Sequence, residues 1–191
     1  MMSLQEELGG ILRRDAKLMQ VMTTLRELNL PDWRLMSGAI YQAVWNDRTG
    51  RPTGFGVRDY DVGYFDPDTS WDAEDVWIKA VAARFDGPLK EQVEVRNQAR
   101  VHIWFKDHFG EGEDYPALTH TDEALSRFVA PAFAIGVRLE ADDSFSVAAP
   151  LGLEDMFDLV VRPNPQRCKA KGWDQITAKL LSRWPELKIV E

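Results

Sequence analysis

Cysteine is almost missing from this chain: among 191 residues there is one, Cys168. An internal disulfide is therefore excluded, and so is any metal site built from several thiolates. Histidine is scarce too, with only His102, His108 and His120, a thin supply for a zinc centre. No apolar run approaches the roughly 18 residues that a membrane-spanning helix needs. Met1 to Glu6 show neither the basic start nor the apolar stretch of a secretory signal. These absences point to a reducing cytoplasm and to no membrane partner. Also lacking are a Walker phosphate loop, a Gly-x-Ser-x-Gly elbow and a dinucleotide fingerprint. A calcium loop counted from Asp66 fails, because Trp71 stands where Gly is needed and Trp77 where Glu is needed.

What the chain does have is acid, concentrated in one place. The net charge of −8 comes from 31 acidic and 23 basic residues. Seven of the acids (Asp59, Asp61, Asp66, Asp68, Asp72, Glu74, Asp75) fall within one stretch that holds no Lys or Arg. Elsewhere acids and bases nearly balance. Such a cluster attracts cations and repels a nucleic-acid backbone, and the lack of a basic excess argues against a large RNA or DNA acceptor.

At 45% hydrophobic residues, the chain has material for a sizeable core, and 1–191 is read as one domain. Leu4, Leu8, Ile11, Leu18, Met22 and Leu25 recur at helical spacing, which predicts an N-terminal helical segment over about 3–28, with Gly9-Gly10 a candidate break. Trp33 to Ser37 reads as a buried strand, Ala39 to Asp47 as a helix, and Asp47 to Gly56 as a mobile loop. Val57 to Phe65 alternates as a strand. A helix capped by Ser70 or Asp72 runs to about Phe85, with Val76, Ala80, Val81 and Ala83 inward. A third strand spans Gln92 to Val95, and a helix follows from Asn97 to about His108. A short helix near 122–128, strands over about 132–140 and 145–149, a helical turn at 153–159 and a closing helix over 173–184 complete the pattern. Helices and strands mix without strict alternation, so the expected fold is α+β around a mixed sheet.

Residues two apart on a strand point the same way, so Asp59 and Asp61 present their carboxylates together. Paired carboxylates disfavour each other's ionisation unless a cation sits between them. Mg²⁺ suits such a site, since it takes oxygen ligands and is held by one or two carboxylates plus substrate phosphates. An exposed edge strand with two surface aspartates would look the same. Ser37-Gly38-Ala39 lies at a strand-to-helix junction, where free N–H groups favour a phosphate, although Gly there also makes plain turns. Glu94, between Val93 and Val95, is either a third metal ligand or the polar face of an edge strand. Asn97 and Arg100 share a helix face and are either phosphate ligands or a helix cap with a salt-bridged Arg. Trp33, Trp104 and Trp184 read as core, while Trp45 and Tyr64 are read as core or as platforms for a base.

A Gly-containing turn opening a helix, an acid-hydrophobic-acid strand and a lone acid on a later strand resemble the nucleotidyltransferase superfamily related to DNA polymerase β. Longer blocks, including Asp59-Tyr60-Asp61-Val62-Gly63-Tyr64-Phe65-Asp66, Glu94-Val95-Arg96-Asn97-Gln98-Ala99-Arg100 and Ala149 to Asp155, resemble a bacterial family of uncharacterised nucleotidyltransferase-like proteins within it. The resemblance implies the polymerase β-like fold. It assigns Asp59, Asp61 and Glu94 to catalysis and to Mg²⁺ or Mn²⁺, and Ser37 and Gly38 to the phosphates of a nucleoside triphosphate. The resemblance names no acceptor; the lack of a basic excess leaves a small molecule or a protein as the expected one. A non-catalytic nucleotide- or metal-binding module and an antitoxin-type minimal transferase with a protein partner are the alternatives. Two departures stand out: Ala39 replaces a usual Gly or Ser, and an Arg48-to-Gly56 loop lengthens the path to Asp59.

Overall fold

Ser3 opens the first helix by accepting the N–H of Glu6, whose carboxylate reaches back to the N–H of Ser3, a capping box. The helix, α1 (Leu4–Arg13), runs straight through Gly9-Gly10. The break comes instead at Asp15, whose carboxylate caps α2 (Ala16–Leu28) by accepting the N–H groups of Lys17 and Leu18. The computed structural model describes residues 2–109, 115–167 and 169–190, so the expectation for Cys168 lies outside the described residues. Along the chain there follow β1 (Arg34–Met36), α3 (Gly38–Thr49), β2 (Tyr60–Tyr64), α4 (Trp71–Ala82), α5 (Leu89–Gln92), β3 (Val93–Asn97), α6 (Val101–Phe109), β4 (Gly136–Leu139), β5 (Phe145–Ala148), α7 (Glu154–Phe157), β6 (Val160–Val161), α8 (Trp173–Leu181) and β7 (Lys188–Ile189). Short 3₁₀ turns cover Gln98–Arg100, Thr121–Arg127 and Pro131–Phe133. No helix among the described residues is long and apolar enough to cross a membrane.

Five strands form a mixed sheet in the order β3-β2-β1-β4-β5, and β6 and β7 make a separate pair. Only β2 and β3 run parallel in the large sheet. Strand alternation sorts their side chains. Tyr60, Val62, Tyr64, Val93 and Val95 point into the main core, together with Leu8, Leu12, Met22, Leu35, Ile40 and Trp45. The opposite face carries Met36, Asp61, Gly63, Glu94 and Arg96. It is partly covered by a second apolar cluster in which Met36 meets Leu118, Ala124 and Leu125.

Helix α4 turns a different face inward from the one its apolar spacing suggests. Val76 is 64% exposed and Ala83 is exposed, whereas Glu74, Trp77, Ile78 and Val81 face the protein. The rotation follows from Glu74, which accepts the Asn97 N–H at 2.8 Å and pairs with Arg100. A carboxylate with two strong partners outweighs one exposed valine.

The stretch expected to be a mobile loop is tied down. Asp47 to Thr49 complete α3, Gly50 ends it in the left-handed region, and the rest is fastened to the C-terminal part of the chain. Asn46 donates to the Phe55 carbonyl at 2.9 Å and accepts from the Trp184 indole at 3.0 Å, while Arg51 pairs with Glu186 at 3.0 Å. Gly56 has φ +79°, and a Cβ there would lie 2.7 Å from the fully buried Trp184 ring. Gly56→Ala is expected to destabilise the chain by about 2–3 kcal/mol, strain and overpacking combined, in urea unfolding. A loss below 0.5 kcal/mol, on the order of a surface change, would contradict this anchoring.

Candidate functional site

The acid pair forms because β2 and β3 run parallel in a register that sets Asp61 directly beside Glu94. Both side chains leave the same face of the sheet, Asp61 two residues after Asp59. Together with Arg96 and Gln98 they line a cleft of about 720 Å³, a size that suits a small-molecule site. Asp61 keeps open surface toward the cleft. Even so, its carboxyl is pushed up to about 6 from 3.8, first by desolvation on the cleft floor, then by the negative charges of Asp59 and Glu94, with Arg96 opposing. Asp59 lies just before β2 and is exposed. Glu94 makes a long contact, 3.4 Å, with the Arg96 guanidinium.

This donor set is all oxygen and anionic. Among the described residues, no group of three or more His, Cys, Asp or Glu side chains is gathered to hold an ion unaided. Mg²⁺ and Mn²⁺ keep several waters and take further ligands from substrate phosphates, so Asp61 and Glu94 are the residues that could contribute to such a site. The unrelieved mutual repulsion at Asp61 is what a cation would remove.

Beyond the pair lies the turn. Met36, the cross-strand partner of Asp61, is followed by Ser37, which adopts φ 51° and ψ −103° and has no side-chain cap bond. A non-glycine residue in that region is strained. The Ser37 N–H is spent on the Ile135 carbonyl at 2.8 Å. The first N–H groups of α3, beginning at Gly38, have no intrahelical acceptor. Ser37 and Gly38 do not line the large cleft; they follow Met36, the cross-strand neighbour of Asp61.

Asn97 and Arg100, the two expected phosphate ligands, face the other side of the sheet and are withdrawn as such. Asn97 is fully buried. Its amide oxygen accepts the N–H groups of Asp66 and Ala99, and its amide nitrogen donates to the carbonyls of Asp66 and Asp68. Nothing remains to offer a ligand. Arg100 pairs with buried Glu74 and stacks over Trp71 at 5.3 Å. Trp45 and Tyr64 are wholly buried, hence core. Trp104, expected in the core, instead lines the cleft with Phe105 and Tyr115.

The sequence reading missed the basic wall of the cleft, formed by Arg127, Arg167, Lys169 and Lys171 beside Arg96. A signal was available: from Arg162 to Lys171 there are four bases and no acid. A chain-wide net charge hides so local a reversal of sign.

The site thus combines a mixed α+β sheet, acids on adjacent parallel strands and a strained turn that opens a helix. A solved structure described as revealing a CCA-adding enzyme head domain superposes with a TM-score of 0.74 at 24% identity, covering 97% of this chain and 95% of that one. A CCA-adding enzyme in complex with CTP matches with a TM-score of 0.53 at 14% identity, over 96% of this chain but 43% of that longer one. At these identities the likeness establishes the fold. The chain belongs to a family described as Nucleotidyltransferase, whose model matches residues 23–189. No curated protein matches it in sequence.

Proposed function

We propose that the chain transfers a nucleoside monophosphate from a nucleoside triphosphate to a small-molecule or protein acceptor. The observation that carries this reading is the in-register pair Asp61 and Glu94 on the floor of a cleft with basic and aromatic walls. Asp61, with Asp59 and Glu94, would hold Mg²⁺ or Mn²⁺, and the Ser37-Gly38 turn would seat phosphate oxygens on the first N–H groups of α3. The bound cation supplies charge neutralisation on the triphosphate. An acceptor hydroxyl forms the new bond to the α-phosphorus, the bond to pyrophosphate breaks, and Glu94 accepts the hydroxyl proton. Trp104 and Tyr115 offer aromatic surface beside the reacting centre.

The test is a screen of labelled ATP, CTP, GTP and UTP with Mg²⁺ or Mn²⁺, reading pyrophosphate release with cell extract as the acceptor pool. All four are needed, because a 14% likeness to a CTP-bound enzyme does not choose among them. Metal-dependent release by the wild type, lost in the Asp59→Asn, Asp61→Asn double variant, is the expected result. Equal turnover by both proteins would overturn the residue roles. Nucleotide binding without any turnover would favour a non-catalytic binding module.

A further inference from the structure

Most arginines among the described residues hold a carboxylate, and Arg183 is a half-buried one that does not. Arg14, Arg26, Arg34, Arg48, Arg51 and Arg84 each hold a carboxylate. Arg183, just after α8, is half-buried and makes one contact, a long one of 3.4 Å to the Gly56 carbonyl. Among the described residues no carboxylate partners it. A guanidinium carries five N–H donors, and holding one partly out of water without an anion is unfavourable.

A second unmet group lies next to it. Gln42 is 8% exposed, and its amide oxygen has no hydrogen-bond partner. The side chain reaches from Gly38 to Gly56. Its amide nitrogen lies 3.6 Å from where a Cβ of Gly38 would be, and its oxygen 3.1 Å from where a Cβ of Gly56 would be. The carbonyl of that same Gly56 accepts from Arg183. One buried amide therefore connects the first residue of α3 to an unpaired cation.

We infer that Arg183 is a triphosphate-binding residue, gripping the terminal phosphates of the substrate against the Ser37-Gly38 turn while the Gln42 oxygen accepts one of its N–H groups and holds it in place. This rests on the nucleotidyl-transfer reading and extends it to a residue far along the chain. A single guanidinium that bridges the Gln42 oxygen and a phosphate oxygen meets both unmet demands at once. It also gives the pinned loop ending at Gly56 a purpose, since that loop fixes the distance between Arg183 and α3.

Calorimetric titration in Mg²⁺ with a nucleoside triphosphate, the matching monophosphate and inorganic tripolyphosphate tests this. Arg183→Gln is expected to weaken triphosphate and tripolyphosphate binding by about 10-fold or more, and Arg183→Lys by about 3-fold, as expected when a charge-assisted fork is lost or reduced to a point charge. Monophosphate affinity and the melting temperature should stay unchanged; if Arg183→Gln melts early, Arg183→Lys carries the comparison. Equal losses for mono- and triphosphate, or no loss at all, would overturn the inference. Arg183-dependent binding of tripolyphosphate without any nucleotide binding would support the phosphate seat and sink the transferase reading. A wild type that binds neither would sink both.

Discussion

Asp61→Asn is expected to lower nucleotidyl transfer by about 10³-fold or more, which is about 4 kcal/mol of barrier, while making the metal-free protein more stable at neutral pH. The two effects share one cause. Asp61 is desolvated on the cleft floor and also faces the charges of Asp59 and Glu94, with Arg96 opposing, so its charge is unwelcome until a cation arrives. Asparagine keeps the shape and removes the charge. It relieves the repulsion and also removes the anionic oxygen that would hold the cation against the triphosphate. A site that weakens the empty fold is a recurrent feature of functional centres.

The stability effect has a defined pH window. The Asp61 carboxyl titrates at about 6 in the folded chain against 3.8 for the ordinary group. Between those values the folded chain holds a proton that the unfolded chain has released, so this group's contribution falls as pH rises from about 4 to about 6 and is level above. The advantage of Asp61→Asn in melting temperature should therefore be absent below pH 4 and full at pH 7. Because Asp61 keeps open surface toward the cleft, solvent screens part of the effect. Metal binding has the opposite sign, since the ligand must be ionised. Mn²⁺ should raise the wild-type melting temperature more at pH 7.5 than at pH 5.5, and should not raise that of Asp61→Asn. A variant that transfers nucleotide at the wild-type rate would remove Asp61 from the mechanism.

The sequence yields these acids readily because strand alternation is a local rule. Asp59-Tyr60-Asp61 and Val93-Glu94-Val95 each declare their faces from neighbours alone. That Asp61 and Glu94 lie side by side required the parallel pairing of β2 and β3, for which a short motif gives no register. Asn97 and Arg100 show the limit from the other direction. Their positions three apart were consistent with a ligand face or with a cap and an ion pair, and only the distant Glu74, on α4, decides for the second. The basic wall near Lys169 and the unpaired Arg183 lie more than 70 residues from Glu94 in sequence, beyond any periodicity. The loop before Gly56 was misjudged for a related reason: its Gly, Pro and Arg content describes the loop, while its order comes from Trp184 and Glu186, far along the chain.

Glu74→Ala is expected to cost the fold about 3–5 kcal/mol, because it strips the partner from a nearly buried Arg100. The Glu74 side chain is 3% exposed and that of Arg100 13%. One carboxylate oxygen accepts the backbone N–H of Asn97 at 2.8 Å and the other pairs with the guanidinium, so alanine orphans two donors in one step. For a chain of this length the melting temperature should fall on the order of 10 °C. Arg100→Met in the Glu74→Ala background should recover part of the loss, since the stranded charge is then gone. The consequence for the site is positional. Glu74 fastens α4 to the end of β3, Asn97 binds that end to the turn after β2, and these two strands carry Glu94 and Asp61. At temperatures where the variant is folded, KM for the nucleotide should be near that of the wild type, because neither Glu74 nor Arg100 touches the cleft. A destabilisation below about 1 kcal/mol, the worth of a solvated surface ion pair, would show that the pair is not the anchor of this corner. A selective rise in KM with the fold intact would return Arg100 to the substrate.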